Sequence, residues 1–215
     1  MTKEKLIQIL EDNQDAIESG NWEAVYQNID QFYRGELSDF LIQNDVDPST
    51  LFKKYIPYHA FRKSELLTSI NIQKSVIEIN PGAFDGCKSL KSIRLPDSLI
   101  KIEWHIFDEC KSLESITIPN NVIEICECGL ARCKSLESIT LPNSLKEIGK
   151  FAFTECSSLT SITIPHNVTR IGYGAFANCT SLEEIKYDGT EEEWNNIELG
   201  EDWNYKCPAK IIFLK

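Results

Sequence analysis

The chain has 215 residues, 42% of them hydrophobic, and a formal net charge of -11. That length and apolar content suit one elongated domain, or a solenoid with small flanking units. The acidic balance argues against nucleic acid or an anionic membrane as a direct partner, since both demand a positive footprint, and it favours a protein with a basic surface.

The chain opens Met1-Thr2-Lys3-Glu4-Lys5, with no apolar stretch of the kind an export signal carries and no run of bilayer-spanning length. The expected location is therefore the cytoplasm. Eight cysteines could suggest disulfides, but five of them recur at one fixed spacing, which fits buried reduced thiols better.

Residues 1–55 read as helices. Lys3 to Glu18 sets Leu6, Ile9, Leu10 and Ile17 on one stripe, and Ser19-Gly20 is a stop signal. Asn21 can cap a second helix whose apolar face is Trp22, Val25, Tyr26, Ile29, Phe32 and Tyr33, with Gly35 as its end. Leu37, Phe40 and Leu41 mark a third, and Asp47-Pro48 opens a fourth around Leu51 and Phe52. This segment is expected to cap the open end of a repeat array that begins at residue 56; the alternative is a separate binding domain.

From residue 56 the sequence repeats. Cys87, Cys110, Cys133, Cys156 and Cys179 are each 23 residues after the last. Leu90, Leu113, Leu136, Leu159 and Leu182 keep the same step, as do Ile93, Ile116, Ile139, Ile162 and Ile185. Ile56, Ala60 and Phe61 already sit in register with Ile79, Ala83 and Phe84, and Ser64 takes the cysteine column. A period of this length means a solenoid, because one turn cannot bury its apolar side alone. Within a turn, Ser92-Ile93-Arg94-Leu95 alternates as a short strand with Ile93 and Leu95 inward, and Pro96 ends it. Leu99 and Ile102 form a second inward edge, and the return segment places Phe107 and Cys110 in the core. The fold expected is an α/β repeat solenoid of 23-residue turns over residues 56–187, with like residues stacked in a parallel sheet and a small α-helical cap in front.

The last turn breaks the pattern at Asp188-Gly189, where proline is due. Thr190 with Glu193 forms a capping box for a short helix carrying Trp194. Trp203 and a strand at Ile211-Ile212-Phe213-Leu214 complete a C-terminal cap over residues 188–215.

Units such as Ala83-Phe84-Asp85-Gly86-Cys87-Lys88-Ser89-Leu90-Lys91-Ser92-Ile93-Arg94-Leu95-Pro96 resemble the BspA-type leucine-rich repeat of the Treponema pallidum-like class. The resemblance covers about residues 56–187, and Tyr187-Asp188-Gly189-Thr190 with Trp194 is similar to tails that come after such arrays. It implies a curved solenoid that binds proteins, often on a bacterial or protist cell surface.

Several residue sets could carry function. The outward strand column Asn71, Arg94, Thr117, Thr140, Thr163 and Lys186 is a candidate partner-binding surface, since the sheet face of a repeat array is its usual contact surface. The same column also reads as an ordinary solvated face. A mostly acidic column, Lys91, Glu114, Glu137, Thr160 and Glu183, flanks it. Ile77, Ile100 and Ile123 are expected to tuck beneath the N-terminal helices; facing outward, they would make an apolar partner face. Cys126 and Cys128, with Glu103 and His105 one turn earlier, are weak zinc candidates, because Cys-x-Cys is not a usual zinc spacing and the second pair is missing. His59 and His166 sit alone in turns.

No phosphate loop, metalloprotease motif or nucleophile with an orienting base stands out, so neither enzyme nor cofactor is expected. The leading expectation is a non-catalytic protein-interaction module using the sheet face. The alternatives are an acidic inhibitor that occupies a basic, nucleic-acid-binding surface of another protein, and a metal- or thiol-dependent enzyme.

Overall fold

The structure, a computed structural model, describes residues 8, 11–19, 24–25, 34–43, 45, 47, 49 and 52–215. The expected apolar faces through Leu6, Ile9 and Leu10, and through Trp22, Tyr26, Ile29, Phe32 and Tyr33, lie outside the described residues, as do Pro48 and Leu51.

A short helix spans Gln14–Glu18, and Ser19 closes it by donating its hydroxyl to the Ala16 carbonyl, 3.0 Å away. A longer helix spans Arg34–Gln43, with Leu37 and Leu41 buried, as the apolar spacing predicts. Gly35 does not end a helix; it lies in the first turn of this one. The reason is close packing, since a Cβ there would come 2.0 Å from the Arg62 carbonyl oxygen of the first solenoid turn. The same helix also bonds that turn. The Asp39 carboxylate accepts from the Ser64 hydroxyl, from the Glu65 amide at 2.8 Å and from the Leu66 amide at 3.0 Å. These three groups begin a turn and have no earlier turn to bond, so a helix-borne carboxylate satisfies them.

The remainder is a stack of parallel turns. Short strands Lys101–Ile102, Glu124–Ile125, Glu147–Ile148, Arg170–Ile171 and Glu198–Leu199 form one continuous five-stranded sheet. The longer strands pair in the predicted register but in three separate ladders. Ser69–Asn71 pairs with Ser92–Arg94, Ser115–Thr117 with Ser138–Thr140, and Ser161–Ile164 with Glu184–Tyr187 and then Lys210–Phe213. Strands of three residues carry few amides to spare, and the bond from Glu114 N–H to the Lys91 oxygen, at 3.3 Å, links the first ladder to the second.

Between the sheets runs one core. Phe61, Phe84 and Phe107 stack with centroids 5.0 and 5.6 Å apart, Leu130 takes the next place, and Phe153 stacks on Phe176 at 5.3 Å. Phe52 and Trp203 pack edge-on against the two ends of this column. The five spaced cysteines are fully buried and free. Each thiol donates to a carbonyl of the turn before it, from Cys87 to Phe61 at 2.9 Å through Cys179 to Phe153 at 3.0 Å.

The return segments are successive turns rather than strands. In each, two positions have left-handed φ, between 53° and 72°: one column is His59, Gly82, His105, Cys128, Phe151 and Gly174, the other Lys63, Gly86, Glu109, Arg132, Glu155 and Asn178. This geometry turns alternate amides toward the next turn, as in Phe84 N–H to Ile106 O at 3.0 Å and Gly86 N–H to Asp108 O at 2.7 Å. Most of these residues are not glycine and carry a strain of about 1 kcal/mol each, offset by the bonds it permits.

The C-terminal elements agree with expectation. Glu191–Trp194 is helical, with both bonds of the Thr190–Glu193 capping box present and Trp194 buried. Lys210–Phe213 extends the last long ladder, while Glu198–Leu199 is a strand that no alternation in the sequence reveals.

Candidate functional site

The outward column stands where the register places it. Asn71 is opposite Arg94, Thr117 opposite Thr140 and Thr163 opposite Lys186. All are exposed except Lys186, which is half-buried with its ammonium 3.1 Å from Glu184. Beneath them lie Ile70, Ile116, Ile162 and Ile185, which are buried, so the surface hydroxyls ride on a packed floor. Ile93 and Ile139 are only partly buried and pack against the same core. The acidic flank is also outward, with Glu114, Glu137 and Glu183 all exposed.

Ile77 and Ile100 are 53% and 58% exposed, and Ile123 is exposed as well. They do not tuck beneath the N-terminal helices. Each comes directly after an inward residue (Val76, Leu99 or Val122), and the side chain next to an inward one faces solvent. Beside them the short strands carry a charge ladder: Lys101 to Glu124 at 2.5 Å, then Arg170 to Glu147 at 2.8 Å and to Glu198 at 3.5 Å.

The four weak metal candidates are not drawn into one donor set. Among the described residues, no group of three or more His, Cys, Asp or Glu side chains could hold a metal ion. The Cys126 thiol turns to Glu124, at 3.5 Å, and the His105 imidazole to Asp108, at 3.0 Å. Burial, reinforced by Glu124 and Glu103, pushes the Cys126 thiol up to about 12; burial and the nearby Asp108 push Cys128 up to about 11. Glu103 is likewise raised, mainly by burial. Thiols held protonated are poor nucleophiles.

The histidines expected to be alone are not. His166 lies 3.2 Å from Asp188, and the His59 ring covers Gly82, where a Cβ would come 2.3 Å from the imidazole.

The turn columns also form a groove that the repeat pattern does not announce. It encloses about 850 Å³ and spans the turns that begin at Tyr58, Pro81 and Trp104, reaching Arg132. Gly82 and Gly86 occupy both left-handed positions of the middle turn, and their missing side chains let the His59 ring and the Lys63 side chain of the turn before lie over it. Tyr58 and Trp104 stand on either side of Pro81 in one column, 55% and 58% exposed. Arg62, Lys63, Lys88 and Arg132 are balanced there by Glu65, Asp85, Asp108 and Glu109. Arg62 pairs with Asp85 at 2.7 Å and Arg132 with Asp108 at 2.5 Å. Asp108 is only 2% exposed, and its second oxygen has no hydrogen-bond partner; nor does Nδ1 of His59, while Nε of Arg132 lies 3.5 Å from Glu109. Burial lifts the Asp108 carboxyl above its usual range in spite of His105 and Arg132. A second groove of about 650 Å³ shares Arg132 and continues past Tyr173 and Gly174 to Tyr205. The glycine pair at 82 and 86, with aromatic residues two turns apart, is the signal of it that the sequence holds.

Comparison with known proteins agrees with this geometry. The family model for the BspA-type leucine-rich repeat region matches residues 54–183 in six copies. Among solved structures, a T. pallidum leucine-rich repeat protein is 31% identical, with a TM-score of 0.62 over 71% of each chain. A leucine-rich cell-surface protein from Faecalibacterium prausnitzii is 33% identical, with a TM-score of 0.46 over 67% of this chain and 32% of that one. No curated protein matches the chain significantly.

Proposed function

The chain belongs to the BspA-type leucine-rich repeat family, and on that premise we propose that it is a non-catalytic protein-interaction module that binds its partner through the face of the long strands. The observation that carries this reading is the register of Asn71, Arg94, Thr117, Thr140, Thr163 and Lys186 over an aliphatic floor in which Ile70, Ile116, Ile162 and Ile185 are buried. Such a surface loses little conformational entropy on binding, because its side chains are mostly short and its backbone is already fixed. Arg94 and Lys186 add a charge near each end. The N-terminal segment, residues 1–55, acts in this reading as a cap over the first turn, consistent with the Asp39 contacts. Eight unpaired cysteines support a reducing, cytoplasmic setting.

A second reading draws on the exposed Glu114, Glu137 and Glu183 flank: an acidic inhibitor of a protein with a basic surface. One experiment addresses both. Extracts of the native host are passed over the immobilised wild-type chain and over the double variant Thr117→Arg/Thr140→Arg. The module reading expects proteins retained by the wild type and lost from the variant, with retention surviving added salt. Retention lost steeply with salt favours the inhibitor. Identical retention by both chains rejects the strand face.

A further inference from the structure

We infer that the groove over the Gly82 turn binds an extended, proline-containing peptide in the polyproline II conformation, lying along the stacking axis. Length is the first ground. The grooves around Gly82 and Gly174 meet at Arg132, so the depression runs along the stack and suits an elongated chain rather than a compact ligand.

Spacing is the second ground. Tyr58 and Trp104 are two turns apart, and parallel turns stack at about 4.8 Å, so the rings recur over about 10 Å. A polyproline II chain repeats every three residues over about 9 Å. Prolines at i and i+3 would therefore meet the two exposed rings in turn, with Pro81 and the His59 ring between them. Aromatic-lined grooves suit such chains because the ligand is pre-extended and loses little entropy on binding.

Unmet hydrogen bonding is the third ground. A polyproline II backbone makes no internal hydrogen bonds, so its amides and carbonyls seek partners. The buried Asp108 carboxylate offers one unpaired oxygen as acceptor, while Arg132 beside it is held by ion pairs to Asp108 and Glu109. The balanced charges of the lining, in a chain of net charge -11, fit a ligand recognised by shape and main-chain bonds.

This inference rests on the reading that the partner is a protein, but not on the strand face. The test uses the full chain and two acetylated, amidated peptides of one composition, with prolines at i and i+3 or at i and i+2, titrated by calorimetry. The expected result is saturable binding of the first peptide only. Trp104→Ala should weaken it about tenfold, as loss of an aromatic anchor does, and Asp108→Asn about threefold. Both changes lie at the surface or conserve shape, and circular dichroism checks that each variant is folded. Thr117→Arg/Thr140→Arg should bind as the wild type does. Failure to bind, indifference to proline spacing, or indifference to Trp104→Ala in the folded variant overturns the inference. So does loss of peptide binding in the strand-face variant, or a linear oligosaccharide such as cellopentaose binding in the peptide's place. If the peptides fail while the strand-face variant still loses its protein partner, the groove is rejected and the module reading stands.

Discussion

The Cys133 thiol and the Cys110 amide share one acceptor, the carbonyl oxygen of Phe107, at 3.2 and 3.1 Å. One donor comes from the acceptor's own turn and the other from the next, so the sulfur bonds adjacent turns. Cys133→Ala removes the atom and the bond together. We expect a loss of about 1–2 kcal/mol, or roughly 5 °C in melting temperature. Cys133→Ser keeps a donor over the same carbonyl and should lose less; equal losses in thermal melts would show the bond to be idle.

Alkaline pH should unfold the chain. Burial pushes the thiols of Cys87, Cys110, Cys133 and Cys156 far above their ordinary value near 9, and Cys179 up to about 12. The folded chain thus keeps protons that the unfolded chain releases. Stabilisation is complete below the unfolded value and is lost as pH rises above it, at about 1.4 kcal/mol per thiol per pH unit. Urea midpoints should hold level to about pH 8 and fall steeply above about 9. A flat profile would mean the thiols titrate as freely in the fold as outside it.

Two glycines should behave differently. At Gly172 a Cβ would meet the Lys150 nitrogen at 2.6 Å and the Gly149 carbonyl carbon at 2.7 Å, backbone atoms with little room to move. Gly172→Ala should cost about 2–3 kcal/mol. At Gly86 the nearest atom is the Lys63 Cγ at 3.1 Å, and other turns hold Glu109 and Arg132 in the same left-handed conformation. Gly86→Ala should cost about 1 kcal/mol. Chemical denaturation of the pair checks the ranking.

Asp108→Asn should leave stability at neutral pH unchanged or raise it. A carboxyl whose folded value is raised stabilises the fold most fully below its unfolded value, and that contribution is lost as pH rises. At neutral pH its charge is therefore a net cost, which asparagine removes. Arg132→Ala takes away the countercharge and should lower the melting temperature. A large drop for Asp108→Asn would contradict this account.

The repeat is legible in the sequence because each core column is dominated by one residue type recurring at one step, with Leu130 and Ser64 the exceptions among the phenylalanines and cysteines, and burial follows from that step. The Thr190–Glu193 capping box is legible because it is local. Gly35 misleads because glycine signals both a helix stop and a close approach, and only the fold brings the Arg62 oxygen near. The outward Ile77, Ile100 and Ile123 mislead because an apolar type is not always a buried one. The groove stays hidden for a different reason. Its walls and floor come from residues 23 apart, and at Gly82 and Gly86 the side chains of the preceding turn, His59 and Lys63, shape it.

The unequal bonding of the two strand sets has a mechanical consequence. The short-strand sheet runs unbroken from Lys101 to Leu199, whereas the long strands are fastened in three ladders. Tension along the stack would part the looser edge first, at the joints between its ladders, while the continuous edge flexes like a leaf spring. A bulky guest pressing on the long strands could thus tune the bend of the whole array without breaking it.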